Sequence, residues 1–320
     1  MDKESRSAWT AANIIMRYID FSKEKEQVSV IGVGTMRIAG LDEAAAETFV
    51  KTALDAGINF FDHADIYGGG RSEMVFGRLL AAQPELRDRM FIQSKCGINK
   101  GMFDFSKEYI LSAVDGILER LHTDHIDSLL LHRPDALMEP DEVNEAFNEL
   151  KQAGKVRHFG VSNMNRYQMD LLKSGVDEEL CANQVQLSIV HTPLLDAGFN
   201  VNMADNPAVM RDGGTLEYCR MNDMAVQTWS PLQIGYFQGT FLNDERYPEL
   251  NALMDEIAAE YNVGKDVIAY AWNLRYPAKM QVITGTSKAE RIADAAKAAD
   301  ICLSRRQWYD LYKAAGNRLP

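Results

Sequence analysis

The chain is short of the features that most quickly assign a protein to a class. Only four cysteines occur in 320 residues, Cys96, Cys181, Cys219 and Cys302. They stand far apart and form no Cys-x-x-Cys pair, which excludes a zinc-finger ligand set and a disulfide framework. Reduced thiols in a cytoplasmic protein fit that usage. Apolar residues never run on for the roughly 18 positions that mark a membrane span. The opening MDKESRSAWTAANIIMRYIDF carries mixed charge and has no long apolar stretch, so it makes a poor signal peptide. Positive charge is also scarce: 34 Lys and Arg against 46 Asp and Glu leave a net charge of -12. That balance argues against nucleic acid as a partner, because neutralising phosphates takes clustered cations. No Gly-x-Ser-x-Gly elbow is present, so an acyl-transfer nucleophile is missing. The glycines of GVGTMRIAG do not have the Gly-x-Gly-x-x-Gly spacing of an open-sheet dinucleotide fold.

What the sequence does have is rhythm. VSVIGVG, INFFD, RMFIQSK, HIDSLLLH, VRHFGVSN, CANQVQLS, MAVQTWSPL and MQVITG read as strands, each with a helical pattern behind it. Runs such as FFD, SLLLH and QVIT are continuously apolar, as parallel strands buried on both faces are. Eight such units predict an α/β protein, a (β/α)8 TIM barrel, with SRRQWYDLYKAAG as an extra C-terminal helix outside the ring. A doubly wound open sheet is the competing architecture, and its fingerprint is absent. Residues 1–15 are expected to form a loosely ordered N-terminal extension, with Met16 an alternative start, and 16–320 a single barrel domain. Three connections are unusually long. GINKGMFDF follows the third strand, IVHTPLLDAGFNVNMADNPAVMRD the sixth and QIGYFQGTFLNDERYPE the seventh. All three leave the C-terminal ends of strands, the face on which barrels build their sites.

Polar and small groups collect on that same face. The first strand ends at Gly34, Thr35 and Met36, the second at Asp62 with Tyr67 close behind, the third at Lys95 and the fourth at His132. The fifth ends at Ser162 and Asn163, the sixth carries Gln184, the seventh Ser230, and the eighth Gly285 and Thr286. Each has an ordinary explanation by itself. Lys95 could be a lysine snorkelling to the surface, His132 a satisfied core histidine, Asp62 a loop cap. Convergence of all of them on one rim argues for a site. A free phenol ionises near pH 10, about three units too high for easy proton exchange at neutrality. A neighbouring ammonium lowers that value. Lys95 can supply the ammonium, Asp62 can hold it charged, and His132 can donate to a substrate oxygen. The set suits the transfer of one proton at a carbonyl or alcohol oxygen. A metal centre built on Asp62 and His63 is disfavoured, because adjacent strand residues face opposite ways and Lys95 would repel a cation. No metal is expected. His122, His125 and His158 lie beside helix ends or strand starts and read as structural, whereas His191, in the sixth loop, could reach substrate.

FDHADIYGG, SKCG, LLLHRPD, GKVRHFGVSN, NQVQLS, TWSPL and GTSKAERI occur together in an order and spacing that resemble the aldo-keto reductases, over essentially the whole chain from about Met16. HADIYGG with SKCGI and HRPD further resembles a bacterial, NADP-dependent branch of that family. The resemblance implies reduction of an aldehyde or ketone by hydride from NADPH, with Asp62, Tyr67, Lys95 and His132 as the catalytic set and Tyr67 as general acid. It implies that Ser162, Asn163 and Gln184 hold the nicotinamide carboxamide and that Trp229 stacks on the ring. Ser230, Pro231, Leu232 and Gly235 would line the pyrophosphate path, with Gly34, Thr35 and Met36 also at the coenzyme. Ile66, Phe103 and His191 would meet substrate, together with Met36. GTSKAERI adds its own logic: it sets Gly285, Thr286, Ser287 and Lys288 at a helix start, where free N–H groups favour an anion. Lys288 and Arg291, three apart, share a helix face there. Two cations suit a 2′-phosphate and so favour NADPH over NADH, the second coenzyme to consider. Asp294 and Ala295 stand where the family often has Glu-Asn, so an amide contact to adenine is expected to be missing. The partners expected are a small carbonyl or alcohol substrate, with neither nucleic acid nor membrane. A coenzyme-binding redox sensor with little turnover is the alternative function.

Overall fold

The computed structural model describes residues 16–100, 102–199, 214–235 and 238–317. The expected extension, residues 1–15, lies outside them, as do 200–213 of the sixth loop and 236–237 of the seventh. In chain order the elements are β1 (Tyr18–Asp20), β2 (Gln27–Ser29), β3 (Ile31–Gly34), α1 (Glu43–Asp55), β4 (Phe60–Asp62), α2 (Arg71–Ala82), β5 (Phe91–Cys96), β6 (Ile98–Asn99), β7 (Met102–Phe103) and α3 (Lys107–Leu121). They continue with β8 (Ile126–Leu131), α4 (Pro140–Gln152), β9 (Val156–Ser162), α5 (Arg166–Lys173), β10 (Leu180–Gln186), α6 (Pro193–Phe199), α7 (Thr215–Met221), β11 (Ala225–Trp229), α8 (Pro248–Tyr261), α9 (Lys265–Leu274), β12 (Lys279–Thr284), α10 (Ala289–Ala296) and α11 (Arg305–Ala314).

Strands β3, β4, β5, β8, β9, β10, β11 and β12 close into a barrel in sequence order, every pair parallel. The expected (β/α)8 barrel is what the chain forms. Helices start where capping chemistry allows. The Asp42 side chain accepts from Ala45 N–H at the head of α1, and Ser106 accepts from Tyr109 N–H at the head of α3. Asn165 with Gln168, and Ser304 with Gln307, make full capping boxes on α5 and α11. Helix α11 is the expected extra helix, and its Trp308 lies flat on Trp272 of α9, ring centroids 4.9 Å apart. Among the described residues no helix is long and apolar enough to cross a membrane.

Two expectations need correction. VSVIGVG is not one strand: β2 pairs antiparallel with β1, and only β3 enters the barrel. The cause is a plug. The β1–β2 hairpin folds under the N-terminal end of the barrel and inserts Phe21, fully buried, against Phe91 and Phe60 at centroid distances of 4.7 and 6.1 Å. Within the long third-strand connection, whose conformation the sequence left open, β6 and β7 pair as a small antiparallel hairpin. The seventh connection ends sooner than expected, because Pro248 starts α8 in the helix position where proline is best tolerated. Phe21→Ala should cost about 3–5 kcal/mol, read as a lower denaturation midpoint, because an emptied plug leaves a cavity that the facing rings cannot fill.

Candidate active site

Side-chain alternation along the strands decides what enters the barrel. On β4, Phe60 and Asp62 face inward, Phe60 in the plug layer and Asp62 at the opposite end. Phe61 and His63 face out onto Phe76 of α2, at 5.3 and 4.6 Å. On β5, Gln93 and Lys95 face inward in successive layers. Lys95 is fully buried, and its ammonium Nζ is 2.7 Å from both Asp62 carboxylate oxygens and 2.8 Å from the His63 carbonyl. From there it donates to the Tyr67 hydroxyl at 3.3 Å. The His132 ring stands edge-on to Tyr67, centroids 6.1 Å apart. The four residues expected to act together therefore come together, at the C-terminal mouth. His63, as expected, stays out of the barrel, its Nδ1 2.9 Å from the Thr35 hydroxyl.

The electrostatics differ from the expectation in one respect. Burial pushes the Tyr67 phenol up, Lys95 opposes this, Asp62 adds to it, and the net direction is upward rather than down. Without a ligand, Tyr67 is thus held firmly as the protonated donor. Burial works against the Lys95 ammonium, but Asp62 and Tyr67 outweigh it and raise its pKa. His132 is driven well below its usual value by burial and by the Lys95 and Arg133 charges, so it is the neutral imidazole. Its Nδ1 is buried without a hydrogen-bond partner among the described residues.

Around this cluster the other expected residues take distinct places. Ser162 donates to the Gln184 carbonyl (2.9 Å), Asn163 donates to the Ser162 hydroxyl (2.7 Å), and Trp229 Nε1 donates to Asn163 Oδ1 (3.2 Å). Asn163 and Ser230 both hold positive φ, 57° and 49°, which turns the chain sharply where the strands end. Gln184 lies deeper, donating to Asp62 at 3.1 Å. Thr35 is fully buried, with its hydroxyl donating to the Asp62 carbonyl. Gly34 ends β3 with the Thr284 carbonyl 3.2 Å from where a Cβ would sit. Met36, Ile66 and Phe103 are exposed on the rim. Pro231, Leu232 and Gly235 follow Ser230 into the seventh loop. Gly285 has open space about its Cα, and Thr286, Ser287 and Lys288 lead into α10, whose first turn has no side-chain cap. Beside Trp229 and Asn163 opens a cavity of ≈ 750 Å³, also lined by Phe103, Arg133, Gln186 and His191.

Sequence reasoning missed a chain of glutamines inside the barrel. Gln93 donates to Asp62 (2.7 Å) and to Gln227 (2.7 Å), Gln227 donates to Gln281 (2.9 Å), and Gln281 donates to the Ser29 carbonyl (2.9 Å). A polar path thus runs from the Asp62 carboxylate to the floor of the barrel. A signal for it was present: FIQSK, AVQTW and MQVIT each place a lone glutamine in mid-strand, where a fully buried residue needs partners of its own kind.

With this geometry in view, comparison with known proteins decides the family. The model of the aldo/keto reductase family matches residues 30–315. The chain belongs to the aldo/keto reductase family. It is accordingly an NAD(P)H-dependent oxidoreductase. Oxidoreductase YdhF of Escherichia coli (strain K12) is 36% identical over 94% of this chain and 98% of its own length. A 6-dehydroglucose reductase of Novosphingobium aromaticivorans is 36% identical over 92% of this chain and 94% of its own. Among solved structures, an aldo-keto reductase from Klebsiella pneumoniae in complex with NADPH shares the fold, with a TM-score of 0.73 and 24% identity over 93% of this chain and 95% of that one.

Breaking the central ion pair should be expensive. Lys95→Met leaves Asp62 charged in the barrel and should lower stability by about 3–5 kcal/mol. Adding Asp62→Asn should recover part of that loss, and a double-mutant cycle in denaturant measures the coupling.

Proposed function

We propose that this enzyme reduces an aldehyde or ketone to an alcohol with NADPH, and that Tyr67 is the general acid. The observation that carries the reading is the contact between the Tyr67 hydroxyl and the Lys95 ammonium at the barrel mouth. The coenzyme, when bound, supplies a hydride to the carbonyl carbon. Tyr67 gives its proton to the carbonyl oxygen. The phenolate left behind is stabilised by Lys95, which Asp62 keeps charged and in place. Neutral His132 offers one N–H to the same oxygen and fixes its direction. Lys95 touches the Tyr67 hydroxyl directly, so the proton would move within a hydrogen-bonded set already in place.

The residues present fit a nicotinamide dinucleotide. Ser162, Asn163 and Gln184 gather amide and hydroxyl groups for a carboxamide, and Trp229 offers a flat face for the ring. The segment from Ser230 to Gly235 borders the path between the two ends. The uncapped start of α10 has free N–H groups beside Lys288 and Arg291, both exposed and making no ion pair among the described residues. These two cations are the reason for assigning NADPH rather than NADH. Of the pair that stands where the family often has Glu-Asn, Asp294 binds Lys297 at 2.6 Å, and Ala295, in place of the amide, is buried. For the substrate, the cavity beside Trp229 combines an aromatic wall with Arg133, His191 and Gln186. The Gln186 Nε2 is buried without a partner among the described residues. A hydroxyl-rich, sugar-like aldehyde would satisfy it, in keeping with the 6-dehydroglucose reductase among the relatives.

Tyr67→Phe should lower kcat by about 10²–10⁴ while NADPH still quenches tryptophan fluorescence. NADPH binding by the wild type without turnover on any aldehyde or ketone in a broad panel would leave the redox-sensor reading instead. Replacing both Lys288 and Arg291 by Ala should weaken NADPH by roughly tenfold or more, the equivalent of at least one charge-assisted hydrogen bond. NADH affinity should hardly change, as titration of both coenzymes would reveal.

A further inference from the structure

One carboxyl at the rim has no part in that scheme. Asp65 lies midway between Asp62 and Tyr67, in the loop from β4 to α2, and its backbone N–H donates to the Lys95 carbonyl at 3.0 Å. Its side chain turns beneath the loop. Oδ2 is 3.3 Å from the Tyr109 hydroxyl of α3, while Oδ1 is buried with no hydrogen-bond partner among the described residues. The same Tyr109 hydroxyl is 3.1 Å from the carbonyl of Ile98, the first residue of the β6–β7 hairpin.

A phenol has one proton to give. Facing a carboxylate, Tyr109 would have to choose between Asp65 and Ile98, and one acceptor would go unserved. Oδ1 would meanwhile be an unpaired anionic oxygen in a buried place, a costly arrangement. The neutral acid removes the conflict. Protonated on Oδ2, it donates to the Tyr109 oxygen and Tyr109 then donates to Ile98, while Oδ1 is left as a neutral carbonyl oxygen instead of an anionic one.

The surroundings point the same way. The groups facing Asp65 are Glu73 of α2, Arg120 and Tyr109 of α3, and the Cys96 thiol of β5. Glu73 is fully buried and takes Arg120 for itself at 2.8 Å, with Ser94 donating at 2.7 Å. Arg120, the cation that acts on Asp65, is therefore claimed by another carboxylate, and that carboxylate repels a charge on Asp65. Burial first, and Glu73 second, push the Asp65 carboxyl up to about 6.

We propose that Asp65 is a positioning residue: its neutral carboxyl and the Tyr109 hydroxyl form a relay to the Ile98 carbonyl that ties the loop bearing Tyr67 to the hairpin bearing Phe103. This rests on the roles given above to Tyr67 and Phe103. Ionising Asp65 breaks the relay and loosens acid and substrate wall together. The sign follows from linkage. A carboxyl whose folded pKa lies above its unfolded value binds its proton more tightly when folded, so stability falls as pH rises between the two values and stays reduced above both.

Asp65→Asn tests this, since the amide can donate to Tyr109 at every pH. The full chain is melted from about pH 4 to pH 8, a range that brackets the ordinary and the raised carboxyl. The variant and wild type should melt together at the acid end, and the variant should melt a few degrees higher at the alkaline end. In steady-state assays wild-type kcat/KM should fall several-fold as pH rises through about 6, and Asp65→Asn should be flat there. An Asn variant that melts lower at the alkaline end, or two superposable pH profiles, would overturn the proposal. Should Asp65→Asn not fold, carbon NMR of the aspartate carboxyls in wild type decides. One carboxyl should titrate near 6 and move in Tyr109→Phe, whereas titrations confined to the ordinary aspartate range refute the relay. Melting and NMR need no turnover, so they judge Asp65 even if no carbonyl compound is ever reduced and the proposed function itself fails.

Discussion

A single charge inside a closed barrel governs the site. The Lys95 ammonium has no access to water, and an ion so placed is tolerable only if it is paired and its donors are used. Asp62 supplies both oxygens, and the His63 carbonyl and the Tyr67 hydroxyl take what remains. Asp62 in turn accepts from Gln93 and Gln184, whose other contacts draw in Gln227 and then Gln281. The glutamine chain is therefore the answer to burying a carboxylate, which was itself the answer to burying an amine. Removing any member strands its neighbours, and this makes the barrel interior an extension of the candidate site.

The same pairing explains why the phenol is a donor at rest. Seclusion lifts its ionisation further than the ammonium can lower it, and Asp62 offsets part of what Lys95 contributes. That suits the role proposed for Tyr67: a general acid keeps its proton until a base worth protonating arrives, and a carbonyl oxygen becomes one only as hydride reaches its carbon. The adjacent ammonium would matter at that moment, as the neutral hydroxyl it faces becomes a phenolate.

Much of this was legible in the residues. Eight apolar runs, each ending in a polar group on the same side, give both the barrel and its rim, because strand direction and loop length follow from local pattern. Asp62, Lys95 and His132 could be grouped because they stand at the ends of strands of successive units, with Tyr67 in the loop just behind Asp62. Other features were illegible for physical reasons. The break at Val30 hides inside VSVIGVG, since a run of apolar residues looks alike whether it crosses a barrel or seals it. The direction of the Tyr67 shift depends on how deep the ring sits, which no spacing reveals. Tyr109 gave no sign of its reach to Asp65, because the two are 44 positions apart and meet only once α3 has packed beside α2.

The stopper formed by Phe21 has a consequence for traffic. With that end of the cylinder closed by packed rings and the bore filled by side-chain amides, the described residues leave the C-terminal mouth as the approach to Lys95 and Tyr67. On the proposed reaction, substrate, alcohol product and the proton that reloads the phenol would share that approach, so that recharging Tyr67 would follow departure of the product.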